Sequence, residues 1–264
     1  MDSQLVLILA ATLAAGVLSM SAAAWLSFRW LSHLLEPMVS VSTGLLLATA
    51  FLHLFPEAFA AHAALAIDPH VLGAVALISI FGFFLLEKVS LIHHSHHHEG
   101  DGHHHPHGFD REHAGRGGMQ ILIGDSVHNF ADGLLIAAAF LADFNLGLVV
   151  TLSIVVHEVP HKVSDFMVLL NAGFTHSRAL IYNVVIMLAC VAGGGTGYVM
   201  LDRMQSWIPY ALIVAASSFI YIAMADLMPQ LQRHASWRRT VPQILLMLCG
   251  AAIVVLGQSA LHVH

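Results

Sequence analysis

The chain has 264 residues, of which 58% are hydrophobic and only 10% are charged. Soluble globular domains carry about 25% charged residues, so this composition excludes an ordinary soluble domain and predicts a protein embedded in a lipid bilayer. The net charge is −6 and no basic cluster is present, which excludes a nucleic-acid-binding surface.

The first apolar run extends from Leu5 to about Leu26. The four residues before it contain an acid and no lysine or arginine, and the run is longer than the core of a secretory signal peptide. We therefore expect this segment to be retained as a membrane span.

Eight apolar runs are long enough to cross the roughly 30 Å hydrocarbon core of a bilayer. We expect an all-α membrane protein with a single transmembrane domain over residues 1–264. The eight predicted spans are 4–27, 38–62, 70–92, 118–141, 146–170, 178–201, 207–230 and 240–261.

The basic residues predict the orientation of these spans, because cytoplasmic connections carry an excess of lysine and arginine. The connections on one side of the membrane carry eight basic residues, and those on the other side carry only Arg203. The tenth basic residue, Lys162, lies inside the fifth span. We therefore expect both termini to be extracytoplasmic and the long 93–117 connection to be cytoplasmic. The basic residues of the opposite, richer set are Arg29, Lys88, Arg111, Arg116, Arg178, Arg233, Arg238 and Arg239.

The 93–117 connection contains 10 of the 21 histidines, mixed with glycine, aspartate and proline. It has no apolar pattern on which to fold, so we expect a disordered linker. Its composition favours a weak metal-binding segment over a neutral low-complexity tract or a purification tag, since a tag normally lies at a terminus. The candidate ligands are His93, His94, His96, His97, His98, His103, His104, His105 and His107.

Two spans carry polar stripes of metal-ligand residue types. On a helix each stripe falls within an arc of about 100°. Ionisable groups inside a membrane are costly and usually mark function, so two facing stripes favour a divalent metal site over structural hydrogen bonding alone. The stripe of span 4 is Asp125, His128, Asn129 and Asp132, and that of span 5 is His157, Glu158, His161 and Asp165.

The span 5 stripe contains "HEVPH", which matches the HExxH pattern of zinc metalloproteases. Pro160 lies between the two histidines and lacks the N–H that would bond the carbonyl of Val156. We expect a kinked or broken helix there, with the freed carbonyl bound to water or a metal ion. Such a break is typical of transporters and argues against a catalytic helix, which needs regular spacing.

Short matching segments suggest inverted internal repeats. Span 2 ends in "HLFPEAF" and span 7 in "DLMPQLQ", yet the two spans cross the membrane in opposite directions. We expect spans 1–3 to be mirrored by spans 6–8, with spans 4 and 5 between them.

The chain as a whole resembles the ZIP (Zrt/Irt-like protein) family of metal transporters. The matching segments are "HNFADG" in span 4, "HEVPHKVSDFMVLLNAGF" in span 5, "HLFPEA" in span 2 and "FIYIAMADLMP" in span 7. Span 5 is most similar to the branch that reads HExPHExxDF. The resemblance implies a 3+2+3 inverted-repeat bundle that is not an enzyme and moves Zn²⁺ toward the cytoplasm, with a binuclear site between spans 4 and 5.

The resemblance also implies roles for individual residues. The primary-site positions are His128, Asp132, His157 and His161, and His161 takes the place of a bridging glutamate of other branches. The second-site positions are Asn129 and Glu158. Residues of the transport path, or residues that modulate the site, are His53, Glu57, Asp125, Lys162, Asp165 and Asp226.

Lys162 departs from the family pattern, which has a glutamate there. It follows Glu158 by four residues, the favoured order for an ion pair on a helix. A fixed ammonium would repel a second divalent ion, so we expect the second site to be weak or empty. The alternative is that Lys162 snorkels aside and changes nothing.

Two other functions stay open at this point. An intramembrane HExxH protease would use His157, Glu158 and His161 with Asp226 as the late third ligand. A metal sensor would depend on the histidine-rich connection.

Imidazole with carboxylate ligands favours Zn²⁺ as the transported substrate, with Fe²⁺, Mn²⁺, Co²⁺ and Cd²⁺ as alternatives. The expected partners are this ion, the lipid bilayer and, as an open alternative to a monomer, a second copy in a homodimer. Short termini and loops favour a bacterial inner membrane over a eukaryotic organelle membrane.

Overall fold

The structure, a computed structural model, describes residues 3–29, 31–65, 67–95, 111–171, 174–232 and 236–261, and these contain helices and no strand. The all-α prediction is confirmed. The α-helices are α1 (Ser3–Arg29), α2 (Leu31–Thr49), α3 (Phe55–Leu65), α4 (Pro69–Ser95), α5 (Arg111–Ala142), α6 (Phe144–Asn171), α7 (His176–Asp202), α8 (Ile208–Tyr221), α9 (Met228–Gln232) and α10 (Trp237–Leu261).

Two π-helical segments interrupt otherwise continuous α-helix. The first, Ala50–Leu54, joins α2 to α3, and the second, Ile222–Leu227, joins α8 to α9. Each ends two residues before a proline, Pro56 or Pro229, which has no N–H to offer the preceding turn. The helix widens there, and the residue after each segment donates its N–H to the carbonyl five residues earlier.

Seven helical segments of the described residues are long and apolar enough to cross a membrane. They match seven of the eight predicted spans. The outer surface of α4 and α10 shows why a bilayer is required, because Ile78, Phe81, Leu245 and Leu256 are all at least 60% exposed. Apolar side chains at that density belong in hydrocarbon.

The eighth predicted span, 118–141, lies within α5, which is the least apolar of the long helices and is not among these seven segments of the described residues. Every residue from Leu135 to Phe140 is buried, so α5 is a central helix that exposes little surface to lipid. It packs against α6 and α7, while α1 covers α6 and α7 from the other side.

Glycines bring helix backbones into direct contact at two places. A Cβ at Gly133 of α5 would overlap the carbonyl of Cys190 in α7, and a Cβ at Gly193 would overlap that of Phe130. Gly44 and Gly250 make the same kind of contact between α2 and α10. Small residues are the usual means of close helix packing in membranes. The first contact holds α5 against α7 beside Asp132.

The predicted 93–117 linker is helical at both ends. Residues 93–95 complete α4, and α5 begins at Arg111. Only the backbone of His93 and His94 is described, and the other seven candidate histidines lie in 96–110, outside the described residues.

Candidate metal site between the central helices

Four predicted ligands converge between α5 and α6. One donor atom from each of His128, Asp132, His157 and Glu158 lies within 4.8 Å of the other three. Two of these residues come from each helix, as the facing stripes predicted. The site is almost closed from solvent, because Asp132, His157 and Glu158 are buried.

The separations between these donor atoms suit a small divalent ion. Nε2 of His157 is 3.5 Å from Oδ2 of Asp132, and Nε2 of His128 is 3.5 Å from Oε1 of Glu158 and 3.7 Å from Oδ2 of Asp132. Tetrahedral ligands bonded at about 2.1 Å to zinc lie about 3.4 Å apart. The protein therefore holds its donors near the spacing that such an ion requires.

His157 is fixed in the orientation that a ligand needs. Its Nδ1–H donates to the carbonyl of Ser153 at 2.9 Å, which leaves the lone pair of Nε2 directed at the cluster. The ring of Phe219, in α8, packs on the imidazole with a centroid distance of 6.0 Å and a tilt of 63°. Both contacts hold the ring before any ion arrives.

The donor atoms are also left without other partners. Nε2 of His128, Nε2 of His157 and both carboxylate oxygens of Asp132 are buried and accept or donate no hydrogen bond among the described residues. Buried polar atoms normally find a partner, because leaving them unpaired is costly. A bound cation would satisfy all of them, so the donor set fits a divalent metal.

His161 lies beside this cluster and faces a different partner. Its Nε2 is 3.1 Å from Oδ2 of Asp226, whose other oxygen accepts from Nε2 of Gln230 at 3.2 Å. The His161 ring nevertheless lies 5.8 Å from that of His128 and 6.0 Å from that of His157. His161 and Asp226 therefore form a neighbouring pair that sequence reasoning had assigned to separate roles.

Asn129 points its amide nitrogen at the cluster. Nδ2 donates to the carbonyl of Asp125 at 3.1 Å and to Oε1 of Glu158 at 3.5 Å. In this arrangement Asn129 orients the Glu158 carboxylate.

Lys162 lies against the opposite side of that carboxylate. Its Nζ is 3.0 Å from Oε2 of Glu158 and 3.8 Å from Oδ2 of Asp125. The predicted Glu158–Lys162 ion pair is confirmed. The snorkelling alternative is wrong, because the Lys162 side chain is only 3% exposed. Asp165 is also buried and interacts electrostatically with the same ammonium.

The helix does not break at Pro160, contrary to the sequence prediction. α6 runs without interruption from Phe144 to Asn171. The carbonyl of Val156, which Pro160 leaves without its N–H, accepts a hydrogen bond from Oγ of Ser42 in α2 at 3.0 Å. A neighbouring helix supplies the missing donor, so neither water nor a metal ion is needed there.

Two predicted path residues, His53 and Glu57, lie near the connection from α5 to α6. His53 is in the first π-helical segment, and Glu57 follows in α3. Both line a cavity of about 380 Å³ together with Asp143 and Asn145, which lie at the connection from α5 to α6. The cavity gathers one histidine and two carboxylates at that end of the molecule.

Ser42 and Phe219 are contacts of the site that the sequence analysis missed. Each comes from a helix outside the central pair. Ser42 contacts α6 through a hydrogen bond and Phe219 through ring packing. A lone serine in an apolar helix gives no signal about which backbone carbonyl it will meet. Phe219 lies seven residues before Asp226 in a segment that was quoted only for its family likeness.

The geometry does not suit an HExxH protease. Asp226 pairs with His161, apart from the four-donor group of His128, Asp132, His157 and Glu158. Glu158, the residue that would act as base, is held by Lys162 and Asn129. The protease alternative therefore finds no support.

Comparison with known proteins agrees with this result. The family described as ZIP Zinc transporter matches residues 3–117 and 91–258. Zinc transporter ZIP13 of Pongo abelii is 29% identical over 239 residues, which cover 84% of this chain and 66% of that protein.

Zinc transporter ZIP4 of Rattus norvegicus is 37% identical over 139 residues, or 51% of this chain and 20% of that protein. The human zinc transporter ZIP4 is 40% identical over 114 residues, or 41% of this chain and 17% of that protein. The chain thus spans just under two thirds of the ZIP13 relative and a fifth or less of the ZIP4 relatives. With nearly its whole length matched by the family, the chain belongs to the ZIP zinc transporters.

Proposed function

We propose that this protein carries a divalent metal ion, Zn²⁺ foremost, across a membrane toward the cytoplasm through the site formed by His128, Asp132, His157 and Glu158. The observation that carries the proposal is the convergence of these four donors between two central helices of a multi-pass membrane protein. Two imidazole nitrogens and two carboxylate oxygens suit zinc, and Fe²⁺, Mn²⁺, Co²⁺ and Cd²⁺ are competitors to be tested.

The exposure of the site supports a direction for the path. The side chains of His128 and His161 are each 23% exposed and that of Asp226 is 45% exposed. Asp132, one turn after His128 on α5, is 1% exposed, and His157, one turn before His161 on α6, is 0% exposed. The open side faces the beginning of α5 and the end of α6, where the basic residues predict the cytoplasm.

In this orientation the metal ion meets three stations in order. The cavity at His53 and Glu57 lies at the extracytoplasmic end and would attract cations. The buried four-donor site follows. The His161–Asp226 pair then lies on the open side, where it would receive the ion on its way out. Each station offers only a few ligands, so the metal ion can be released from it as well as bound.

The two π-helical segments support the 3+2+3 inverted repeat. His53 and Asp226 occupy the same position in their segments, three residues before the proline. Two buried residues of each segment also correspond, Ala50 with Ala223 and Leu54 with Leu227, although His53 is buried and Asp226 is not. Equivalent faces in two spans of opposite direction fit a repeat that brackets α5 and α6. Both termini would then be extracytoplasmic, in a membrane that we propose to be a bacterial inner membrane.

Uptake of radioactive zinc into proteoliposomes tests the proposal. The purified chain should accumulate ⁶⁵Zn²⁺ inside the vesicles, and unlabelled Cd²⁺, Co²⁺, Mn²⁺ or Fe²⁺ should compete according to their fit to the site. The double variant Asp132→Ala, His157→Ala should not exceed empty vesicles. Uptake by this double variant at the wild-type rate would refute the proposed site, and lack of uptake by the intact chain would refute transport.

A further inference from the structure

Glu158 divides the buried polar cluster into two sides. Its Oε1 lies 3.5 Å from Nε2 of His128, on the side where the four donors converge. Its Oε2 lies 3.0 Å from Nζ of Lys162, on the side of Asp125. One carboxylate thus contacts the divalent-ion site with one oxygen and an ammonium with the other.

The groups around Lys162 are those that would bind a cation. Carboxylates of Glu158, Asp125 and Asp165 all interact with its ammonium. These oxygens are hard ligands of the kind that divalent cations accept. The ammonium lies within 4 Å of two of these carboxylates, and the side chain that carries it is covalently part of α6.

We propose that Lys162 is a tethered cation that takes the place of a second divalent ion, so that the protein binds one metal ion in the membrane where this cluster would otherwise bind two. The inference rests on the proposed metal site and adds its stoichiometry.

Charge counting supports one ion. Asp125, Asp132 and Glu158 contribute three negative charges and Lys162 one positive charge, which leaves −2 for a single divalent ion to neutralise. With Asp165 also ionised, the four carboxylates and the ammonium sum to −3, so one divalent ion leaves −1 and a second would make the cluster net positive. A second ion beside the ammonium would bring two further positive charges into a closed, low-dielectric site.

The substitution Lys162→Glu changes this count by two charges, which is the charge of one divalent ion. It also supplies a carboxylate where the ammonium was. The proposal needs no further space, because the new carboxylate would take the position of the ammonium beside Glu158 and Asp125.

Metal stoichiometry of the purified full-length chain tests this inference. Bound Cd²⁺ or Zn²⁺ is counted by equilibrium dialysis, and the count of the Asp132→Ala, His157→Ala variant is subtracted to remove ions held by the histidine-rich connection. Wild type should retain one ion above this background. Lys162→Glu should retain two, and Lys162→Arg, which keeps the positive charge, should retain one.

Lys88 provides a matched control, because it is the chain's other lysine and is exposed near the end of α4. Lys88→Glu makes the same change of charge and should leave the count at one. A gain of an ion in Lys88→Glu as well would overturn the inference, since the effect would then be one of net charge.

Zinc X-ray absorption spectra give a second readout, and its wild-type result does not depend on whether Lys162→Glu folds. The wild-type spectrum should show no metal–metal scattering, and the Lys162→Glu spectrum should show it. Two ions or metal–metal scattering in the wild type would overturn the inference, and so would a folded Lys162→Glu variant with one ion. Absence of any ion above background in the wild type would refute the proposed metal site itself, whereas these other results leave transport untouched.

Discussion

The two sides of Glu158 hold the same kind of charge in different ways. On the side of His128, Asp132 and His157, the buried carboxylate of Asp132 faces imidazole nitrogens at 3.7 and 3.5 Å, and no lysine or arginine among the described residues pairs with it. On the other side, the carboxylates of Glu158 and Asp125 already have the ammonium of Lys162 within 4 Å. A cation that is part of the chain cannot be exchanged, and an ion that binds to free donors can. The difference agrees with the proposed function, in which the transported ion exchanges on the first side and the second side gives structural support.

The largest effect is expected when the exchangeable side is broken. Asp132→Ala removes a ligand that His128 and His157 both face, at 3.7 and 3.5 Å. Loss of groups that merely orient a metal ligand costs about 10–100-fold, so loss of the ligand itself should lower zinc uptake by at least about 100-fold. Initial uptake rates in proteoliposomes measure the effect.

Asp202→Ala is the matched control, since Asp202 is exposed at the end of α7. Its uptake should equal that of the wild type. An Asp132→Ala rate within twofold of the wild type would contradict the assignment of transport to this side.

Removal of the tethered cation should destabilise the fold. Lys162→Met leaves the buried Glu158 and the partly buried Asp125 without their cation, and breaking a buried ion pair such as Glu158–Lys162 costs about 3–5 kcal/mol. We expect a clear fall in the thermal midpoint of the detergent-solubilised protein. Lys88→Met should melt with the wild type, and an unchanged midpoint in both variants would show that the ammonium gives no structural support.

The contact between α5 and α7 supports the exchangeable side through Gly133. Gly133→Ala would place a Cβ onto the backbone carbonyl of Cys190, so the helices must separate at a cost of about 1–3 kcal/mol. Because Asp132 is the neighbouring residue, zinc affinity should fall with stability. Denaturation and zinc titration of the same sample test both effects.

Gly73→Ala is the control for that variant, because a Cβ at Gly73 meets nothing within 4 Å. It should be neutral or slightly stabilising, since alanine favours helix by about 1 kcal/mol over glycine. Equal effects at Gly73 and Gly133 would mean that helix propensity, not the α5–α7 contact, is being measured.

The smallest effect concerns the carbonyl beside Pro160. Ser42→Ala removes the hydroxyl that donates to the carbonyl of Val156 and should cost about 1–2 kcal/mol, with a modest loss of zinc affinity. Ser40 lies on the same helix but bonds the carbonyl of Glu36 within α2. Ser40→Ala should therefore cost less, and the reverse order in urea denaturation would contradict the role given to Ser42.

Helices and ligand types follow from the sequence because they depend on spacing along one chain. Within each polar face of α5 and α6, and within the Glu158–Lys162 pair, successive residues follow the spacing of a helix turn, so helix periodicity places them on the same side. Four of the six expected metal ligands converge accordingly. The pairing of His161 with Asp226, and that of Val156 with Ser42, depend on how separate helices pack, which periodicity does not determine.

Hydropathy likewise finds the helices that face lipid more readily than the one that does not. α5 was recognised as a span despite its polar stripe, although it is the least apolar of the long helices. Its depth in the bundle depends on glycines such as Gly133 and Gly193, whose contact with another backbone is visible only in three dimensions.

The π-helical segments have a consequence for how the chain tolerates changes of length. Each accommodates one residue more than an α-helical turn, so deletion of one residue there shortens the turn and leaves both flanks facing the same way. Elsewhere, a single deletion rotates everything after it by about 100°. Loss of the exposed Leu52 should thus preserve a folded, monodisperse protein, whereas loss of the buried Ala215 in α8 should not. In a bundle of this kind, Ala50–Leu54 and Ile222–Leu227 are the places inside the membrane where relatives can differ in length without losing register.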